Sequence, residues 1–142
     1  MKKKIIILIA LVLVICGVVL YPFVVKREFQ SVIDVDIAKV NKILMSSGTY
    51  GKIVEITDKD TIDEFLKSFK ETRIRKNFYQ GKRTGYALSA RLYIDDSEVA
   101  SFSYGYEEII IYRNHKGKRY VSNKNINHEE INKIELKYNL RK

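Results

Sequence analysis

The chain has 142 residues, with 26 Lys or Arg against 17 Asp or Glu and a formal charge of +9. That length suits one domain plus a short extra segment, and the charge favours anionic partners such as nucleic acid, lipid headgroups or wall polymers without choosing among them. A single cysteine, Cys16, excludes an intrachain disulfide, so the folded part relies on its hydrophobic core.

The first element decides the expected compartment. MKKK is followed by IIILIALVLVICGVVLYPFVV, residues 5–25, a run without a charge. A helix needs about 20 apolar residues to cross a ~30 Å hydrocarbon core, which this run supplies. A cleaved signal sequence has an apolar stretch of only ~7–15 residues and an A-x-A-like site, neither of which is found here. A lipoprotein would use Cys16 but needs a small residue before it, where Ile15 stands. The expectation is an uncleaved signal anchor over 5–25, with 1–4 as a cytoplasmic tail. Lys2, Lys3 and Lys4 outweigh Lys26 and Arg27, which keeps the amino end inside. Tyr21 and Phe23 suit an interfacial aromatic belt at the outer end. Residues 26–35 then read as a juxtamembrane linker and 36–142 as an extracytoplasmic domain on a single-pass membrane protein.

Within 36–45, Ile37, Lys39, Asn41 and Ile43 alternate as in a strand, while Phe29, Ile33, Ile37, Val40 and Leu44 also suit a helix. The SSGTYG cluster behind it is a turn signal and KIVEIT reads as a strand, so a hairpin is the expected arrangement. Thr57 or Asp58 caps the next helix, whose Ile62, Phe65, Leu66 and Phe69 recur at the spacing of one buried face. Asp63–Lys67 and Lys67–Glu71 are i,i+4 pairs on its wet side. Thr72 to Lys76 suits a short strand leaving that helix, and Tyr79 to Gly85 a loop.

From Tyr86 onward the pattern is a meander. Leu88, Ala90, Leu92 and Ile94 share one face of a strand, Asp95-Asp96-Ser97 turns the chain, and EVASFSY, EEIIIYR and KRYVS follow with short connections. Asn127 caps a last helix, with Ile131, Ile134 and Tyr138 inward. The expected order is β-β-α-β-β-β-β-α, an α+β domain with helices packed on one face of an antiparallel sheet.

The pieces GKIVEITD, KDTIDEFLKSF, RTGYALSARLYI, VASFSY, IIIYR and RYV, in that order, resemble a group of small extracytoplasmic proteins of unknown function from low-GC Gram-positive bacteria. The resemblance runs from about residue 36 to residue 138. It implies a location and a fold, supports the strand reading of 36–45, and supplies no active site.

No catalytic or metal signature appears. His115 falls in an expected turn and His128 in a first helical turn, without the three or four ligands a metal needs. No Ser lies in a G-x-S-x-G elbow, and Asp95, Asp96, Glu107 and Glu108 fall at turns and strand starts, where carboxylates are ordinarily solvated. The expectation is a non-enzyme without cofactor or metal. Charge is more informative. No acid lies between Glu71 and Asp95, where Arg73, Arg75, Lys76, Lys82 and Arg83 stand. None lies between Glu108 and Glu129, where Arg113, Lys116, Lys118 and Arg119 stand. These nine are the candidate contacts for an anionic ligand, and Tyr79, Tyr104 and Tyr106, at loops or strand ends, the candidate aromatic contacts. RIRKNFYQGKR, residues 73–83, has the footprint of a nucleic-acid site, but a position outside the membrane argues against nucleic acid as the partner. Two functions fit: a membrane-anchored binding or accessory module for an anionic envelope polymer, lipid or protein, and an inhibitor, immunity or sensor-accessory protein acting on one neighbour; a weaker third is an enzyme whose site is assembled only in three dimensions.

Overall fold

The computed structural model describes residues 2–70, 72–81, 85–105, 108–113, 116–122 and 128–140, the side chains of 70 and 128–131 excepted. It is α+β: an apolar N-terminal helix, then an open antiparallel eight-stranded sheet with further helices. In chain order the elements are α1 (Lys2–Val24), β1 (Arg27–Glu28), α2 (Phe29–Ile33), β2 (Lys42–Ser47), β3 (Ile53–Ile56), α3 (Lys59–Lys70), β4 (Arg73–Lys76), β5 (Leu88–Ile94), β6 (Ser97–Tyr104), β7 (Glu108–Arg113), β8 (Lys116–Ser122) and α4 (His128–Lys137). The strands lie in the order β1-β4-β8-β7-β6-β5-β2-β3.

The helix α1 is long and apolar enough to cross a membrane, with a mean hydropathy of 3.1 over 18 of its residues, none of them buried against the rest of the chain. The expected helix over 59–69 is α3. Asp58 caps it, accepting from the Thr61 N–H at 2.9 Å and the Thr61 hydroxyl at 2.6 Å, bonds that hold its carboxyl below the usual aspartate range. The wet-side pairing differs from expectation: Lys59 takes Asp63 at 2.9 Å, because Lys59 is held in place by the carbonyls of Ala38 and Val40. Glu71 lies outside the described residues.

The ambiguous segment resolves into both forms. Ile37–Lys39 makes one 3₁₀ turn, and the strand begins at Lys42 and runs on to Ser47, into the expected turn. Gly48 closes it at a position only glycine fits, since a Cβ there would fall 1.8 Å from the Tyr86 carbonyl oxygen. The Asp95-Asp96 turn between β5 and β6 holds both residues at positive φ, 47° and 62°, as a tight two-residue hairpin requires.

Residues 26–35, expected as a linker, carry β1 and α2 instead. Arg27 and Glu28 pair with Ile74 and Arg73, and the Phe29 N–H donates to the Thr72 carbonyl at 2.9 Å. Phe29 and Ile33 are buried in the core. The sequence shows Phe29 and Ile33 as the start of a helical spacing that runs on to Leu44, but the helix ends at Ile33, where Asp34 turns into the left-handed region.

The core forms on one face of the sheet. The connection from β3 to β4 crosses six strand spacings, about 29 Å, and α3 supplies ~18 Å of that. It therefore passes over the central strands and presses Phe65 and Phe69 onto Phe102 of β6. The rings of Phe29 and Phe69 each lie 5.1 Å from Phe102, and Phe65 lies 5.7 Å from Tyr138 just beyond α4. Helices α2, α3 and α4 thus meet the sheet on the same side. Each such aromatic pair adds ~0.5–1.5 kcal/mol beyond its buried area. Phe29→Ala is expected to cost about 3–5 kcal/mol, read by urea unfolding of the full-length chain in detergent. A loss below about 1 kcal/mol, the scale of an ordinary surface substitution, would mean that α2 is detachable from the core.

Candidate functional site

The two acid-free stretches become neighbours because β4 pairs with β8, Arg75 opposite Val121 and Lys76 opposite Tyr120. Strand alternation then divides their charges between the two faces. Lys76, Tyr120 and Ile109 lie in one row, and Ile111 with Lys118, and Arg113 with Lys116, lie in the rows beside it. Since Ile109 and Ile111 are core residues, these cations stand on the helix side. Arg119 points to the other face, and Arg73 is exposed on β4.

On the helix side the short α2 leaves part of the sheet uncovered, and a cleft of about 420 Å³ opens there. Pro22 and Val25 at the end of α1 form one wall, and Arg27, Arg75, Lys76, Arg113 and Lys118 bring the charge. Lys116 and Lys118 line an adjoining hollow of about 310 Å³. Among the described residues Asp34 is the one acid lining the cleft, and Arg113 takes it at 3.5 Å while donating to the Val32 carbonyl at 2.7 Å. Arg113 thereby holds the end of α2, where Asp34 turns into the left-handed region. Among the described residues, Arg27, Lys76 and Lys118 have no acidic partner. Burial raises the Tyr120 phenol above its usual pKa, against the pull of Arg113 and Arg27, so it stays protonated at neutral pH.

The junction with α1 is built from the same strand. The Arg75 guanidinium donates to the Phe23 carbonyl at 3.3 Å, meeting one of the acceptors that a helix end leaves free. The Lys76 ammonium lies 4.9 Å above the Phe23 ring, and the Phe78 ring stacks on it at 4.6 Å and 10°.

Arg119, expected as a ligand contact, is instead buried at 3% exposure. Its guanidinium pairs with Glu108, donates to the Gly81 carbonyl at 3.0 Å and lies 5.5 Å from the Tyr79 ring centre. Its backbone exchanges hydrogen bonds with the Gln80 side chain, and the Asn77 amide bonds Glu108. The charge is spent on folding residues 77–81 back over the open face of the sheet. Its Nε has no partner among the described residues. A Cβ at Gly81 would fall 2.3 Å from the Tyr79 ring, so a side chain there would displace that ring.

Tyr104, another expected contact, is also buried. Alternation puts it on the core face with Phe102, and Phe69 covers it at 5.0 Å. Tyr79 is exposed. Lys82, Arg83, Tyr106, Glu107 and His115 lie outside the described residues, as does the side chain of His128. The acids at the β5–β6 turn and Glu108 sit at opposite ends of β6, roughly 24 Å apart, so they form no catalytic pair. No group of three His, Cys, Asp or Glu among the described residues converges as a metal site would. The sequence reading missed Arg27 and Phe78 as site residues and placed Phe23 only as an interfacial aromatic. Arg27 was legible only as a flanking charge, because a two-residue strand leaves no periodicity.

Arg119→Ala is expected to destabilise the fold by about 1–3 kcal/mol, because the part-buried Glu108 keeps the Asn77 amide but loses the arginine, and Gly81 loses its donor. It should also open the 77–81 loop to chymotrypsin at Phe78 and Tyr79. Arg119→Lys should leave the loop nearly as sensitive, since one ammonium cannot bridge Glu108 and the Gly81 carbonyl together. No family model matches the chain, and no curated protein or solved structure does.

Proposed function

We propose that this chain is a membrane-anchored extracytoplasmic binding module whose cleft beside the anchor takes a phosphate-bearing anionic component of the envelope. The observation that carries this reading is the position of the charge. Arg27, Lys76 and Lys118 border one cleft with Pro22 and Val25, where the apolar helix ends. With α1 across the bilayer and its three lysines inside, the cleft faces the outer headgroup layer. An anion bound there meets several cations, and Arg113 is already positioned by Val32 and Asp34. The resemblance to small extracytoplasmic proteins supports the same location.

The chemistry recognised is the phosphodiester, which a phospholipid headgroup and a glycerol-phosphate polymer both carry. Calorimetric titration of the full-length chain in phosphatidylcholine nanodiscs separates the two. One arm adds short-chain phosphatidylglycerol and the other a soluble glycerol-phosphate oligomer. At least one should bind, with affinity falling as salt rises. Lys76→Gln with Lys118→Gln is expected to weaken binding by about 2 kcal/mol, roughly thirtyfold, at ~1 kcal/mol for each cation at an anionic surface. Binding that ignores salt and both substitutions would overturn the assignment. Failure of both phosphate ligands, with one protein crosslinked from cleft positions in intact cells, would favour a module that acts on a single neighbour.

A further inference from the structure

Of the six phenylalanines, Phe78 alone is exposed, at 62%, and the adjacent Tyr79 is exposed to the same extent. Neither lies on a mobile tether. The Asn77 N–H donates to the Arg119 carbonyl at 2.9 Å, Gln80 brackets the same residue, and the Arg119 guanidinium holds the Gly81 carbonyl. The Tyr79 N–H is taken by the Asn77 side chain at 3.0 Å. The chain thus uses a buried arginine and a part-buried carboxylate to present two aromatic rings outward. Core packing gains nothing from that arrangement.

The stack of Phe78 on Phe23 fixes the level at which the rings are presented. From Ile5, the first apolar residue of α1, to Phe23 the rise is ~27 Å along the helix axis. That is within a few Å of the ~30 Å hydrocarbon thickness, so in a spanning helix Phe23 sits at the outer boundary. Phe78, 4.6 Å away ring to ring, shares that depth. Aromatic side chains are enriched at this boundary. No acid lies in the sequence between Glu71 and Asp95 to oppose an anionic headgroup layer, and Arg75 and Lys76 flank the stack.

We propose that the loop 77–81 is a second membrane contact, with Phe78 and Tyr79 seated in the outer lipid interface beside the end of α1. The contact fixes the tilt of the domain and sets the basic cleft at the headgroup level. It rests on the reading of α1 as a membrane span but not on what the cleft binds.

The chain contains no tryptophan, so single reporters are unambiguous. Three full-length variants are compared in phosphatidylcholine vesicles: Leu13→Trp within α1, Phe78→Trp in the loop, and Ile53→Trp on the exposed opposite edge strand. Fluorescence is quenched from the lipid side by phosphatidylcholines brominated near the headgroup, for position 78, or deep in the acyl chains, for position 13, and from water by iodide. The reporter at 78 should be blue-shifted from that at 53, quenched by brominated lipid, and at least about twofold less quenched by iodide, as expected for an interfacial aromatic. Quenching by iodide equal to that at 53, with no effect of brominated lipid, would overturn the proposal while position 13 still reports a spanning helix. Loss of lipid quenching at position 13 as well would overturn the span and the loop contact together. Tyr79→Trp gives the same reading from the neighbouring ring should Phe78→Trp disturb the stack. Releasing the clamp with Arg119→Lys in the Phe78→Trp background should raise iodide quenching at 78 toward the value at 53. Unchanged lipid contact would mean that the clamp does not position the ring.

Discussion

The pairing of β4 with β8 is the constraint on which the rest of the structure depends. The sheet without it would be the β5–β8 meander with the β2–β3 hairpin paired onto β5, and β1 and β4 would have no place in it. The β4–β8 ladder joins residues 74–76 to residues 120–122 and so closes the chain from before the meander onto its last strand. Three pairs of backbone partners are a small ladder for that task, and the buried Arg119, paired with the part-buried Glu108, reinforces it from the open face. Removing the arginine takes away both the Glu108 ion pair and the donor that holds Gly81. The ladder therefore tolerates little change at its arginine.

Everything near the cleft follows from that ladder. Once β4 is in place, its outer side receives β1, and β1 delivers Phe29 into the core beside Phe69 and Phe102. The same strand sends Arg75 and Lys76 to the end of α1 and Phe78 onto Phe23. The apolar helix is thus joined to the domain by a carbonyl–guanidinium bond, a cation–π contact and a ring stack instead of a free tether. A membrane-side orientation, on the proposed reading, is a property of the fold itself.

The exposed cationic face and the buried cation have different roles though they come from adjacent residues. Lys118 and Arg119 are consecutive in a strand, so one borders the cleft and the other faces the loop. Lys118 keeps its charge in water, where its field reaches a ligand. Arg119 gives its donors to Glu108 and Gly81, and its field is neutralised at short range. A count of basic residues cannot separate these two, since both stretches are equally free of acids in sequence.

How much of this was legible depended on whether the determining contacts were local. The amphipathic spacing of Ile62, Phe65, Leu66 and Phe69, the Asp58 cap and the alternation of Leu88, Ala90 and Leu92 are local signals, and they suffice to mark α3 and the meander strands. The 21 apolar residues of 5–25 likewise mark a helix able to span a bilayer. Non-local pairing was decided only in three dimensions. β1 is too short to carry a period, Tyr104 became core because α3 crosses the sheet over it, and Arg119 was buried because 77–81 folds back across β8. Sequence by itself determined which residues alternate, cap and stay apolar, because those preferences act within one turn or one strand. Tertiary structure alone decided which cations share a cleft and which one is buried, because that depends on the partner each strand finds and on the parity of the register between them.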